Sequence, residues 1–401
     1  MMNDETWLVA IGAGRWQLLG IKAAKRAGLK VLAIDGSESA PGLSLADKSA
    51  IADIREPGPV ISAITASGIC PKGAISFCNE AGMLTTAAVR EHFNLPGARL
   101  ETVEAMTRKD RQRHLWTEAG LPCPQWFVVE TLTEAETALF SINATAIVKP
   151  VDSAGSRGVT VVQPGSPLQE AFQHALDMSL SRKVIIETFI VGVEHTVETF
   201  SHEGQTSVLA ITAKKKVPGT SNTVASELAS AQMTDEERDK LSVLCKKALA
   251  ALEYTDGPGH TEFLLTAEGD FYLVESAGRG GGFMVADGIV PQVSGFDLAT
   301  ACAVQAVGRT PPTPVQQPWK SIVLRFIPSK AGRVMSIAGF DATDEIPGVI
   351  SEPMVTLGQE VGRASSDGDR MAYILSVAAT FKEAQRLADA KEQRISITIQ
   401  P

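Results

Sequence analysis

Five cysteines in 401 residues, at positions 70, 78, 123, 245 and 302, are too few and too scattered for a disulfide framework, and no two have the CxxC spacing of a zinc site. Such usage fits a reducing cytoplasm. Positive charge is also in deficit: 37 Lys and Arg face 46 Asp and Glu, a formal net charge of −9. Binding a phosphate backbone needs a basic surface, so this balance argues against a nucleic-acid partner, with Lys214-Lys215-Lys216 as a local exception. No apolar run reaches the length of a membrane span. The start Met2-Asn3-Asp4-Glu5 is acidic, and the short apolar run ending at Gly12 suits a first strand rather than a signal peptide. Internal repeats are absent. What is present, 44% apolar and 21% charged residues, is the composition of a globular chain of roughly two to three domains.

Residues 7–35 read as strand WLVAIGAG, helix QLLGIKAAKRAG and strand KVLAID, the opening of a doubly wound α/β domain. Gly12 and Gly14 permit a tight turn, and Asp35 ends the second strand where a dinucleotide-binding fold places its ribose-binding acid. Gln17, however, takes the third glycine position, where close packing of helix on strand asks for a small residue. A nicotinamide dinucleotide is therefore disfavoured. A later strand in AISFCNEAGMLTTAAVREHF ends at Asn79-Glu80. Ligands of such sheets gather at the carboxyl ends of strands, which makes Glu80 a candidate site residue.

The pattern breaks at Leu95-Pro96-Gly97, after which VEAMTRKDRQRHLWTEAG reads as one helix. Strand AIVKP then ends at Lys149-Pro150, followed by the loop DSAGSRGV and strands VTVVQ and VIIETFI around a helix. A glycine-rich connection between strands lets backbone N–H groups close over phosphates, and Ser153, Ser156 and Arg157 add donors. An ordinary polar hairpin loop has the same Gly and Ser content. Lys149 just before it favours phosphate.

Further on, TEFLLTAEGDFYLVESAGR places Glu262 and Glu275 in two short apolar runs separated by the turn Ala267-Glu268-Gly269-Asp270. An antiparallel ribbon would let both carboxylates face one cavity. Mg²⁺ is usually held by one or two carboxylates plus nucleotide phosphates, and Arg279, four residues on, suits a phosphoryl group in transfer. The motif thus predicts ATP chemistry, against a plainer reading of two solvated strand-end acids and a glycine turn at Gly280-Gly281-Gly282. The Pro-rich stretch TPPTPVQQP marks the next boundary, and residues 319–401 read as a smaller strand-rich unit with one helix.

In this order the motifs resemble the ATP-grasp superfamily of carboxylate–amine ligases over nearly the whole chain. The resemblance implies a multidomain α/β and α+β protein: a Rossmann-like pre-ATP-grasp domain at 1–98, an ATP-grasp domain at 99–310 with its lid at about 120–190 and central part at about 191–310, and a small α+β domain at 318–401. It implies that Lys109 and Lys149 hold ATP phosphates under the flap Ser153, Ser156, Arg157 and Gly158. Glu187 would accept the adenine amino group, Phe189 and Ile190 would frame the ring, and Glu194 would take the ribose hydroxyls. Glu262 and Glu275 become Mg²⁺ ligands, with Mn²⁺ as an alternative, and Arg279 and Lys149 become the catalytic cations. The family usually places asparagine two residues after the second glutamate, where this chain has Ala277, and His260 is a substitute contact to weigh against a structural histidine.

SIVLRFIPSKAGRVMSIAGF and the segment ending in Asp369-Arg370 and the last helix resemble amino-acid ligases that make dipeptides or related amides. The resemblance implies peptide or amide bond formation between two amino acids or similar acids through an acyl phosphate, releasing ADP and phosphate. Glu80, His260, Arg279, Gly280 and Gly281 are then the substrate residues, Phe283 and Met284 either pocket wall or core, and Arg325 either a second carboxylate anchor or a surface arginine. The partners implied are small-molecule carboxylates, with a homodimer through the first domain as a possibility. A bicarbonate-activating or purine-pathway ligase is the alternative within the superfamily, although no biotin-attachment segment is present. A non-catalytic nucleotide-binding regulator is a different class, encouraged by Ala277 alone.

Overall fold

The computed structural model describes residues 5–217, 224–315, 318–364 and 368–401. Residues 1–4, with Asp4 of the acidic start, and the Gln316-Gln317 step of the Pro-rich stretch lie outside them. The first layer is a parallel sheet of β1 (Trp7–Ile11), β2 (Lys30–Asp35), β3 (Lys48–Ile51) and β4 (Pro71–Ile75), in the order β3-β2-β1-β4. Residues 8–11 and 31–34 have no solvent exposure, because helices cover a parallel sheet on both faces and its strands are apolar throughout. The turn after β1 explains the incomplete glycine motif. Gly12 has φ +96°, and a Cβ there would lie 2.6 Å from Asn79 Nδ2. The small residue that helix-on-strand packing requires is Gly20 in the helix Leu18–Arg26, where a Cβ would lie 2.3 Å from the Phe77 ring. Asp35 accepts hydrogen bonds from Ala13 N at 2.7 Å and Ser37 N at 2.9 Å, so its carboxylate fastens the turn.

The segment read as one helix is two, Leu100–Thr107 and Lys109–Glu118, broken at Arg108 by extended backbone. The break is held from outside the segment: Lys109 N donates to Val151 O at 2.8 Å, tying the second helix to the end of the strand that precedes the glycine-rich loop. That strand belongs to an antiparallel sheet of β5 (Trp126–Val129), β6 (Ala146–Pro150), β7 (Thr160–Val162) and β8 (Val184–Thr188), ordered β5-β8-β6-β7. Helices Leu132–Ile142, opened by a Thr131/Glu134 capping box, and Gln169–Met178 bury their apolar faces against it.

The largest sheet contains β9 (Val193–His202), β10 (Gln205–Lys216), β11 (Ala225–Ser230), β12 (Gly257–Leu265) and β13 (Phe271–Ala277). It continues past the Pro-rich stretch into β14 (Ser321–Pro328), while β15 (Gly332–Ala338) leaves it, β16 (Val349–Pro353) returns, β17 (Glu360–Val361) leaves again and β18 (Arg370–Ala378) returns. The order is β13-β12-β9-β10-β11-β14-β18-β16, whereas β15, β17 and β19 (Ser396–Gln400) make a small sheet of their own. The strand-rich unit expected after the boundary therefore shares hydrogen bonds with the central strands, β11 pairing with β14 through Glu227–Arg325, Leu228–Leu324 and Ala229–Val323. Helix Asp235–Ala251 lies beneath, packing Leu241, Cys245, Ala248 and Leu249 against Phe263, Leu273 and Trp116. Among the described residues, no helix is long and apolar enough to cross a membrane.

Candidate active site

A cleft of about 590 Å³ opens where the three layers meet. Its floor is one face of the large sheet. In β12 the residues Gly259, Thr261 and Phe263 are buried and His260 and Glu262 are partly open, the period-two alternation of a strand with one covered face. Glu262 pairs directly with Glu275 across the ribbon, and His260 with Ala277, so all four side chains stand on the cleft side.

Every acid on that floor is met by a cation. Lys109, 6% exposed, donates to Glu275 Oε1 at 2.9 Å and to Ser153 O at 2.8 Å, joining the helix, the flap and the ribbon. Burial opposes its charge, yet Glu275 and Glu80 raise its pKa. Lys214 bridges Glu194, at 2.5 Å, and Glu262, and Lys216 meets the other oxygen of Glu194 at 2.6 Å. Burial would raise the Glu262 pKa, but Lys214 and His260 hold it well below the usual carboxylate range. His260 is clasped by Glu198 at Nδ1 and lies 3.4 Å from Glu262 at Nε2. Despite burial, Glu198 lifts the imidazole pKa to about 9, and in that protonated form both nitrogens donate.

Lys149 lines the cleft from β6, and its Nζ lies 2.7 Å from Glu187 Oε2. Burial lowers its pKa in spite of that partner. Glu187 itself is 2% exposed and does not line the cavity; Arg113, wholly buried, approaches its other oxygen at 2.7 Å as an ion pair without hydrogen-bond alignment. Burial raises the Glu187 pKa, but Arg113 and Lys149 outweigh it and bring it down to about 2. Arg279 donates through Nη2 and Nε to Glu80 Oε2, at 2.7 and 3.2 Å, linking the ribbon to the first sheet.

The structure thus brings Glu80, Lys109, Lys149, Ser153, Ser156, Arg157, Glu194, His260, Glu262, Glu275 and Arg279 around one cavity. It places others elsewhere. Gly158 packs so closely on Met178 that a Cβ would come within 2.9 Å, and Phe189 and Ile190 sit between β8 and β9 outside the lining, where Ile147 and Val274 supply apolar surface. Of the three glycines after Arg279 only Gly282 lines the cleft. Gly280 and Gly281 lie tight on Ala286 and Val285, and Gly281 N donates to Glu198 Oε2 at 3.1 Å. Arg325 is drawn away by Glu227, Asp389 and Glu392, all within 2.8 Å. Phe283 lines the cavity.

Sequence reasoning missed Glu198, Arg113 and the role of the lysine run. The run did carry a signal: Lys214 and Lys216 are two apart on a strand, hence on the same face. For a metal, two carboxylates facing each other in one cavity suit Mg²⁺ held jointly with phosphate, which needs few protein ligands. Among the described residues no group of three or more His, Cys, Asp or Glu is arranged as a ready-made cage.

The ATP-grasp domain family matches residues 142–287, from the end of helix Leu132–Ile142 to the turn beyond Arg279. L-amino acid ligase C-terminal domain 2 matches residues 325–400. Over 256 residues the chain is 26% identical to alanine–anticapsin ligase of Bacillus subtilis, covering 59% of this chain and 54% of that protein. Over 201 residues it is 29% identical to D-alanine–D-alanine ligase of Aromatoleum aromaticum, covering 48% of this chain and 63% of that protein. The chain thus spans less than two thirds of these relatives' length. The crystal structure of L-amino acid ligase from Bacillus licheniformis superposes over the full length of both chains with a TM-score of 0.85 at 22% identity. Phosphoribosylglycinamide synthetase from Anaerococcus prevotii does so over 99% of this chain and 100% of that one, with a TM-score of 0.80 at 21% identity, so the two structures share the fold. The chain thus carries an ATP-grasp domain at residues 142–287 and, after it, the C-terminal domain 2 of the L-amino acid ligases at residues 325–400.

Proposed function

We propose that the protein is an ATP-dependent ligase joining the carboxyl group of one amino acid, or a similar acid, to the amine of another. The observation that carries this reading is the facing pair Glu262 and Glu275, set with Lys109, Lys149, the Ser153–Arg157 flap and Arg279 around one cavity. Lys109 and Lys149 would meet ATP phosphates, with the flap closing over them to exclude water. Glu262 and Glu275 would hold Mg²⁺, which when bound offsets phosphate charge. Arg279, oriented by Glu80, stabilises the oxygens of the phosphoryl group as it passes to the acid substrate. In the second half-reaction the amine attacks the acyl phosphate: a C–N bond forms, the C–O bond to phosphate breaks, and phosphate leaves with the electron pair while the amine sheds its proton. No enzyme nucleophile is required, so the scattered cysteines need no role.

The match at residues 325–400 supports amino acids over bicarbonate or a purine precursor as substrates. The test is to incubate protein, MgATP and an amino-acid panel with hydroxylamine, measuring ADP, phosphate and hydroxamate. Amino-acid-stimulated ADP release with hydroxamate formation is the expected result, and its absence across the panel overturns the reading.

A further inference from the structure

Beyond Arg279 the cleft runs toward the C-terminal strands, where a further cation sits in an aromatic frame. Arg370, the first residue of β18, is 5% exposed and lines the cavity. Its guanidinium carbon lies 3.5 Å from the centroid of Phe326 and 4.6 Å from that of Phe283, and Nη2 donates to Ala225 O at 3.2 Å. Cation–π contact on two rings fixes the plane of the guanidinium fork, which is the form in which arginine binds carboxylates in bidentate fashion. The frame is itself held. Phe283 and Met284 have φ of 51° and 67°, a left-handed pair uncommon outside glycine, and Trp16 of the first layer packs on Phe283 with centroids 5.2 Å apart.

The position within the cavity matters for the chemistry. Phe283 follows Arg279 by four residues, so Arg370, stacked on Phe283, is adjacent to the loop that carries the phosphoryl-stabilising arginine. The acid substrate gives up its carboxylate at the transferred phosphate, beside Glu275 and Arg279. An amino acid that supplies the amine keeps its own carboxylate, which then lies one residue's length past the acyl carbon and must be desolvated in a cavity whose wall there is Ala225, Leu228, Phe283 and Phe326. We propose that Arg370 anchors that free carboxylate and thereby makes the amine donor an amino acid rather than a simple amine. The inference rests on the ligase reading above and names the residue that sets its second substrate.

The experiment compares three amine donors, an amino acid, its carboxamide and hydroxylamine, in the wild type and in Arg370→Gln and Arg370→Lys. The wild type is expected to prefer the amino acid to its carboxamide. Arg370→Gln should raise KM for the amino acid about ten- to a hundredfold, the range for losing a charge-assisted hydrogen-bonded pair. The ratio of kcat/KM for acid over amide should then collapse toward one, with Arg370→Lys restoring part of it. A wild type indifferent to the carboxylate overturns the proposal, as does a parallel loss on all three donors that leaves the ratio intact, the mark of a structural arginine. If the wild type releases no ADP in response to any acid even with hydroxylamine, the ligase reading itself has failed, an outcome separable from the other two.

Discussion

His260 and Ala277 face each other across the β12–β13 ribbon, two residues along the register from the Glu262–Glu275 pair. Where the family resemblance leads one to expect asparagine, this protein presents a methyl group to an imidazole that Glu198 already holds. Ala277→Asn would return an amide oxygen to the cavity wall. The free Mg²⁺ concentration for half-maximal rate should fall about fivefold, equivalent to roughly 1 kcal/mol for one added oxygen contact. Initial rates across a Mg²⁺ titration decide it, an unchanged midpoint showing that solvent already serves there.

Glu275 accepts from Lys109 at 2.9 Å, and under the ligase reading proposed above it would also hold a metal during turnover. Glu275→Gln keeps an oxygen for Lys109 but removes the negative charge. The expected loss in kcat is about 10²–10³, the scale for one preorganised electrostatic contact in a transition state. ADP release with saturating amino acid measures it, and a near-normal rate would take Glu275 out of the site.

Arg113 and Lys149 both pair with Glu187, but only Lys149 lines the cleft. Arg113→Met strips half the compensation from a buried carboxylate and should cost about 3–5 kcal/mol of stability. Its effect on KM for ATP should be small. Lys149→Met removes the other half of that compensation and should destabilise as well, but it should in addition raise KM for ATP about tenfold for the loss of one charged phosphate contact. Urea unfolding and ATP saturation curves, run on both variants, separate the two roles.

Asp287, in the π-helical turn Val285–Ile289, has its carboxyl pushed up to about 7 by burial, with Asp297 adding to the effect. The folded state therefore binds a proton that the unfolded chain, titrating near 3.8, has released. The sign follows: stability is highest below the unfolded value, declines as pH rises toward 7, and levels off above it, by at most about 4 kcal/mol. Asp287→Asn should remove this slope. Urea unfolding at pH 5 and pH 8 should show the variant gaining on the wild type at the higher pH; equal differences at both would refute the assignment.

How much of this was written in the chain depends on how local the determining contacts are. The βαβ opening and the glutamate ribbon announce themselves because each is set by a short-range pattern, apolar runs with a turn of the right chemistry between them. Lys149 could be placed because its strand ends at a glycine-rich loop. Glu198 could not: in EHTVETFS it is one polar residue among several, and its burial arises only when β9 pairs with β12, about 60 residues away. Arg113 is hidden similarly within the charged run KDRQRH, where nothing local marks the residue that meets Glu187. The break at Arg108 depends on Val151, and the small residue demanded by the first helix stands at Gly20 because a 3-10 turn at Arg15–Gln17 delays the helix by a turn. Nothing in the Pro-rich stretch announces that the sheet resumes beyond it.

That resumption bears on how the protein is handled. A fragment ending near residue 310 would retain the nucleotide motifs from Lys109 to Arg279, but it would strip β14 from β11 and leave a row of unpaired backbone donors and acceptors along Glu227–Ala229. An open edge of that kind recruits strands from other chains. Cutting at the most linker-like stretch in the sequence would thus yield a sticky half-sheet rather than a minimal catalytic core.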